Sequence, residues 1–225
     1  MPGQARQMLP SQPLSTNQPT IPPPCLQGEG LRDRPALVGA LLGLAHHCAL
    51  YAPDQLYASP ALPLLVQLAA AAARLREADP VQHGLELLSR LAGAGEGGEE
   101  DSAGEAPLGA VRGVLAASGE AVVGGLLAAL CDTCPRHLMR NAADVLRKLL
   151  AHRALGGAAA GWLRGAATSG VLPGCSDGYL AADDCATFAA LAPGLAGPRF
   201  NALLVDFGLL ARGQNTADVL LAYEM

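Results

Sequence analysis

Apolar residues recur at spacings of three and four from residue 36 onward, which is the period of an amphipathic α-helix. The first stretch carries this pattern at Leu37, Leu41, Leu44 and Cys48. After Asp79-Pro80 the same spacing returns at Val81, Leu85, Leu88 and Leu91. No segment sustains the strict alternation of apolar and polar residues that marks a half-buried strand. The pattern therefore predicts an all-α fold.

The predicted helices come in pairs that repeat at a regular interval. The first helices of the pairs begin near Leu37, Pro80, Leu138 and Ala181, at intervals of 43, 58 and 43 residues. The middle interval contains a 15-residue acidic, glycine-rich segment at 93–107, without which it would also be 43 residues. HEAT and armadillo arrays repeat a helix pair about every 40–47 residues. We therefore expect residues 36–213 to form an α-solenoid of about four HEAT-like or armadillo-like helix pairs.

The second predicted helix has clear signals at both ends. Ser59 and Pro60 are a typical N-cap and first helical residue. Arg74 and Arg76 come near the end of the apolar run, where the helix dipole favours positive charge. The sequence therefore predicts a helix from about Pro60 to Ala78.

The sequence defines the helix predicted at 108–130 less clearly than the last helix of the chain. The apolar stretch 108–130 contains several glycines, so we expect a break near Ser118-Gly119. The last helix places one set of apolar residues on a single face: Phe200, Leu203, Leu204, Phe207 and Leu210. Asp206 and Arg212 fall outside that face. We expect both to face water, as solubility requires of the last repeat of an array.

Three segments lack helical periodicity. Residues 1–35 are rich in Pro, Gln and Ser, a composition typical of a disordered arm. The acidic segment 93–107 is predicted to be a flexible loop, and residues 214–225 a C-terminal tail.

Composition excludes several classes of function. The 225 residues are 51% hydrophobic but only 4% aromatic, and the net charge is −5. An acidic chain lacks the basic footprint that non-specific nucleic-acid binding needs, but it can attract a basic protein. The longest apolar run, at 61–73, is too short to cross a membrane and contains a proline. Without a secretory signal, the six cysteines are expected to be reduced thiols in the cytosol or nucleus.

Five segments follow one another in an order that carries a family resemblance. They are the helix–turn–helix beginning at Pro60, the acidic segment, CDTCPRHLMRNAADVLRKLLAHR, AAGWLRGAATSGVLPG and DDCATFAALAPGLAGPRFNALLVDFGLLARG. In this order, residues 60–213 resemble the C-terminal HEAT repeats of importin-β superfamily nuclear transport receptors, most closely the transportin-SR and importin-thirteen branch.

The resemblance implies a function and a set of partners. Such receptors bind protein cargo on stacked helices and shuttle between cytoplasm and nucleus. Contacts with GTP-bound Ran belong to N-terminal repeats that have no counterpart here. We therefore expect a receptor fragment that binds cargo, with basic cargo favoured by the acidic composition. A generic HEAT-type or armadillo-type interaction scaffold without a transport role is the alternative.

Four motifs carry residues of the kind that catalyse reactions or bind metal. Cys131 and Cys134 form a CxxC with His137 nearby, but no second ligand pair follows at a zinc-finger distance. Adjacent helical histidines point about 100° apart, so His46-His47 predicts one buried and one exposed ring. Asp183-Asp184 is typical of a helix start. Cys185 next to them lacks the paired base that a nucleophilic thiol needs.

The remaining motifs also favour interaction over catalysis. GAGEGG at 93–98 lacks the Lys-Ser or Lys-Thr of a phosphate loop, and glutamates follow it. Trp162, the one tryptophan, is predicted to pack between helices, with a partner-binding anchor as the alternative. We therefore expect no catalytic residue, no cofactor site and no metal site, and we keep Trp162 as the candidate for partner binding.

Overall fold

A computed structural model describes residues 28–94 and 104–223, and within these ranges the regular structure is helical, without a strand. The α-helices are α1 Gly28–Arg32, α2 Pro35–Tyr51, α3 Pro53–Tyr57, α4 Leu62–Ala72, α5 Ala78–Gly93, α6 Glu105–Cys131, α7 Met139–Ala151, α8 Gly156–Thr168, α9 Ala182–Leu191, α10 Gly197–Ala211 and α11 Asp218–Leu221. Short 3₁₀ turns at Arg136–Leu138 and Ala192–Gly194 precede α7 and follow α9. The all-α fold is confirmed.

The longer helices pack in two rows. In the first row α2 packs on α5, α5 on α7, and α7 on α10. In the second row α4 packs on α6, α6 on α8, and α8 on α9. Contacts of α4 with α5 and of α7 with α8 join the rows. One hydrophobic core runs between them, built mainly of Leu, Ala and Val.

The last helix pair, α9 and α10, is placed differently from the first three pairs, which are α2 with α4, α5 with α6, and α7 with α8. In the first three pairs the first helix joins the first row and the second helix joins the second row. In the last pair α9 packs on α8 and α10 packs on α7, so the two helices exchange rows. The rings of Phe188 and Phe207 stack with centroids 4.0 Å apart, which joins α9 to α10. The two helices of the last pair therefore stand in reversed order.

The break expected near Ser118-Gly119 is wrong, because α6 is one helix of 27 residues. Glycine costs a helix about 1 kcal/mol when exposed, but burial against neighbouring helices outweighs this propensity. The helix also begins at Glu105, so the loop expected at 93–107 ends earlier than predicted. Gly93 and Ala94 close α5, while residues 95–103 lie outside the described part.

Other predicted ends shift by a few residues. Residues 28–32 form α1 and Leu31 is buried, so the disordered arm predicted to residue 35 is wrong there; residues 1–27 lie outside the described part. The second helix begins at Leu62 rather than at Pro60, and the Ser59 hydroxyl accepts the Ala61 N–H at 3.2 Å. It ends at Ala72, which leaves Arg74 and Arg76 beyond it.

The apolar face predicted for the last helix is confirmed. All five of its residues are buried in α10: Phe200, Leu203, Leu204, Phe207 and Leu210. The expectation that Asp206 and Arg212 face water is wrong. Both are half-buried; Tyr223 donates to Asp206 Oδ2 at 2.6 Å, and Arg212 donates to the carbonyls of Leu130 and Ala129 at 3.0 and 3.1 Å. The tail after residue 214 contains α11, where Leu220 is buried.

Gly208 marks the closest approach of α10 to the end of α6. A β-carbon at this position would lie 2.8 Å from the Leu130 carbonyl oxygen and 2.9 Å from Met139 Cε. Gly113 in α6 has open space in the same direction. A side chain at position 208 would therefore clash with its neighbours, whereas one at position 113 would not.

We expect Gly208→Ala to lower the free energy of unfolding by about 1–3 kcal/mol, because the new methyl group meets backbone that cannot move aside cheaply. The matched change Gly113→Ala should raise it by about 0.5–1 kcal/mol, because alanine loses less backbone entropy in a helix. Urea denaturation followed by far-UV circular dichroism measures both. Equal effects of the two substitutions would contradict the close packing at Gly208.

Candidate partner-binding groove

A groove of about 570 Å³ lies on the second row, across α4, α6 and α8. Small residues form much of its wall: Ala70, Ala71, Ala121, Gly124, Gly125, Ala128, Gly165 and Ala166. Their short side chains let the helices approach and leave a depression over α6. The side chains of Arg74 and Glu120 add one charge of each sign to the lining. We call this depression the α6 groove.

Trp162 lines the α6 groove from α8 and is half-buried. Its ring lies over Gly119 of α6, where a β-carbon would come within 2.3 Å of Cζ3. The indole therefore fits against α6 because Gly119 has no side chain. This agrees with packing between helices, as predicted, and it also brings the ring into the groove wall. A half-buried tryptophan of this kind supplies a large, rigid surface to a partner.

A second groove, of about 470 Å³, lies on the first row between α2, α5 and α7 and is polar. Charged and polar side chains line it: His46, Glu86, Ser89, Arg90, Asn141, Asp144 and Lys148. Lys148 donates to the Ser89 hydroxyl at 2.7 Å and lies 3.4 Å from Asp144. Arg147 donates to the same carboxylate at 2.6 Å, and these contacts lower the pKa of Asp144 against its burial.

His46, His83 and Glu86 form a cluster that joins α2 to α5. The Nδ1 atoms of His46 and His83 lie 3.3 and 3.1 Å from Glu86 Oε2, and Gln82 donates to Oε1 at 2.9 Å. Burial lowers the pKa of His46, and the Glu86 charge only partly opposes this. Burial raises the pKa of Glu86, but the hydrogen bonds and the histidine charges outweigh it and lower that pKa overall. The sequence pattern pointed to His46 but not to its partners, although the His83–Glu86 spacing of three places these two side chains next to each other on a helix.

The histidine and cysteine motifs behave as structural elements. His47 is exposed, as predicted, but His46 is half-buried rather than buried. Cys131 and Cys134 are buried at the end of α6, and burial raises the pKa of both thiols, that of Cys134 to about 11. His137 is exposed. Within the described ranges no three His, Cys, Asp or Glu side chains are placed to hold a metal ion.

The Asp183-Asp184 motif lies at the start of α9. The Asp184 carboxylate accepts the Ala181 N–H at 2.8 Å, which confirms the predicted helix start. Cys185 Sγ lies 3.9 Å from Cys175 Sγ, and burial raises the pKa of Cys185 to about 12. A thiol held protonated in this way is a poor nucleophile. Of the GAGEGG segment, residues 95–98 lie outside the described ranges.

By length and composition α6 is the one helix among the described residues that could cross a membrane, with a mean hydropathy of 1.9 over its most apolar window. It is longer than the apolar run at 61–73, which is too short to cross. Half of that window is buried against other helices, and a core helix passes the same test.

Comparison with known proteins adds no assignment. No protein-family model matches the chain, and a search of curated proteins finds no match.

Trp162 and Gly119 are predicted to be energetically coupled. Gly119→Ala should destabilise the protein by about 1–3 kcal/mol, because the methyl group overlaps the indole. Trp162→Ala should also destabilise it, by less than the roughly 3–5 kcal/mol of a fully buried aromatic. In the Trp162→Ala background, Gly119→Ala should become neutral or stabilising. Chemical denaturation of wild type, the two single variants and the double variant measures the coupling, and additive effects would contradict the contact.

The His46 cluster predicts that acid destabilises the fold. The folded pKa of His46 lies below its usual 6.5, so the unfolded chain takes up the proton first and stability falls as the pH drops below about 6.5. The lowered pKa of Glu86 adds a second loss, below its usual 4.5. Thermal unfolding from about pH 7.5 to 4 measures both. His46→Gln should flatten the upper part of this profile, whereas the exposed neighbour variant His47→Gln should change it much less, because His47 is a minor cause of the lowered His46 pKa.

Proposed function

We propose that this chain is a non-enzymatic protein-interaction module, an α-solenoid of HEAT or armadillo type that forms part of an importin-β-type nuclear transport receptor. It binds protein cargo and shuttles with it between cytoplasm and nucleus. The α6 groove is the observation that carries the binding role. Stacked helix pairs in the first three repeats support the solenoid.

The α6 groove has the properties of a surface that receives side chains from another protein. Arrays of helix pairs bind their partners along one row of helices. Here small residues leave a depression of about 570 Å³ in the middle of the second row. Trp162 forms part of the wall and offers the aromatic anchor that is enriched at interface hot spots. A partner helix or extended segment therefore buries apolar side chains against α6 and the indole.

The charge of the chain biases the choice of cargo. A net charge of −5 attracts basic proteins, and this long-range contribution weakens with added salt as screening shortens to about 8 Å at physiological ionic strength. Screening by salt does not weaken the apolar contacts in the groove. The salt dependence of cargo affinity therefore measures the share of electrostatic attraction against the share of apolar contact. Ran contributes only through N-terminal repeats of the kind the resemblance implies, which residues 1–225 do not provide.

A generic helical scaffold without a transport role is the second candidate function. It rests on the helix pairs alone and does not need the resemblance, because three successive pairs place their first and second helices in separate rows. Both candidates use the α6 groove for protein binding. They differ in the identity of the partner and in the response to Ran.

Blocking the α6 groove should abolish cargo binding. Ala121→Arg places a long charged side chain in the groove, whereas Ala116→Arg puts the same side chain on an exposed part of α6 that does not line it. We expect proteins captured from nuclear extract to be lost by at least tenfold with Ala121→Arg and retained with Ala116→Arg. Quantitative mass spectrometry of the captured proteins measures the difference. Equal capture by both variants would exclude the groove.

The identity of the groove-dependent proteins separates the two candidates. Nuclear import cargo in this set supports the transport role, and its absence leaves the scaffold. GTP-bound Ran added to the captured complexes should release nothing from residues 1–225. Release by a longer chain that includes N-terminal repeats is expected only of a transport receptor.

A further inference from the structure

The outer face of α2 exposes a stripe of large apolar side chains. Leu37, Leu44 and Tyr51 form its centre at intervals of seven residues, and they are 62%, 61% and 84% exposed. Leu41, which flanks them, is 44% exposed. The apolar positions that mark this helix in the sequence therefore lie mostly on its outer side. Val38, Leu42, Ala45 and Ala49 form the buried side instead.

The composition of α2 is that of a helix covered on both sides. Its 17 residues, PALVGALLGLAHHCALY, contain no Asp, Glu, Lys or Arg. A helix that is apolar all round is normally buried. The contacts of α2 with α5 account for its inner side alone. The outer side thus has the character of an interface.

The spacing of the stripe shows which partner fits it. About Leu44, the exposed residues Leu37, Leu41 and Tyr51 lie at −7, −3 and +7, and the half-buried Cys48 lies at +4. This arrangement is nearly symmetric about its centre. Two such helices laid antiparallel bring Leu44 against its own copy, Leu37 against Tyr51, and Leu41 against Cys48. Intervals of seven residues also suit helices that cross at about 20° and interlock.

We propose that the occupant is a second copy of this chain, which pairs through an antiparallel α2–α2 contact with its two-fold axis at Leu44. A two-fold contact uses the same patch on both copies, so a self-complementary stripe satisfies it. The helix carries no Asp, Glu, Lys or Arg that would oppose the pairing.

The size of the stripe sets the strength of the dimer. Its exposed apolar surface is on the order of 500 Å² per copy. Stable interfaces bury about 800 Å² per partner, so this contact falls at the weak end. We expect a dimer that dissociates on dilution, with a dissociation constant in the micromolar range or above.

Sedimentation equilibrium of the full chain over a hundredfold concentration range tests the dimer. Wild type should pass from monomer to dimer, and Leu44→Glu should remain monomeric. Leu64→Glu is the matched control, because Leu64 is a 45% exposed leucine on α4. Its variant should dimerise like wild type. A wild-type chain that stays monomeric throughout, or equal effects of both glutamates, would overturn the proposal and assign the stripe to a different protein or segment.

Cross-linking tests the register. In a two-fold pair centred on Leu44, Leu44→Cys places two thiols opposite each other across the axis. Mild oxidation should convert this variant to a covalent dimer that a reducing agent separates. Wild type and Leu64→Cys should give at least tenfold less dimer under the same conditions. Covalent dimer from Leu64→Cys at the rate of Leu44→Cys would show random collision and contradict the register.

Discussion

Burial of α6 between its neighbours is the interaction on which the rest of this fold depends. This helix packs on α4 and α8 within its row and on α3, α7 and α10 outside it. The approach of α8 depends on a glycine of α6. A β-carbon at Gly119 would come within 2.3 Å of the Trp162 ring, whereas one at Gly125 would make an ordinary contact of 3.6 Å with the Ala70 carbonyl oxygen. Gly119, which would weaken an isolated helix, therefore favours the packing of this one.

The end of α6 is held by contacts from the last helices of the chain. The carbonyls of Ala129 and Leu130 lie in the last turn, where a helix has no N–H donors of its own. The Arg212 guanidinium supplies two donors, and the backbone N–H of Cys134 supplies a third to Ala129 at 2.8 Å. Burial lowers the pKa of Arg212, yet the side chain remains charged and suits the negative end of the helix dipole. Placing α10 beside α7 is what brings Arg212 to this point.

The sequence predicts the helices well because their signal is local. Predicted pair starts near Leu37, Pro80, Leu138 and Ala181 fall within two residues of helices that begin at Pro35, Ala78, Met139 and Ala182. Periodicity also identifies the buried face of α10. It fails where the outcome depends on distant partners. Asp206 and Arg212 are polar residues off the apolar face, and only the fold brings Tyr223 and the end of α6 to them. For α2 the same periodicity cannot decide between two apolar sides, and the expected one is exposed.

The two grooves differ in what a partner must displace, and this decides between them as binding surfaces. In the polar groove Asp144 is held by Arg147 and Lys148, and Glu86 by both histidines. A ligand there has to break these contacts before it makes its own, so exchange of one ion pair for another yields little free energy. The α6 groove is lined mainly by small apolar residues, so a partner there gains the hydrophobic effect of about 25 cal/mol per Å² without breaking an ion pair. For the proposed protein partner the second row is therefore the better surface, while the charges of the first row hold α2, α5 and α7 in register.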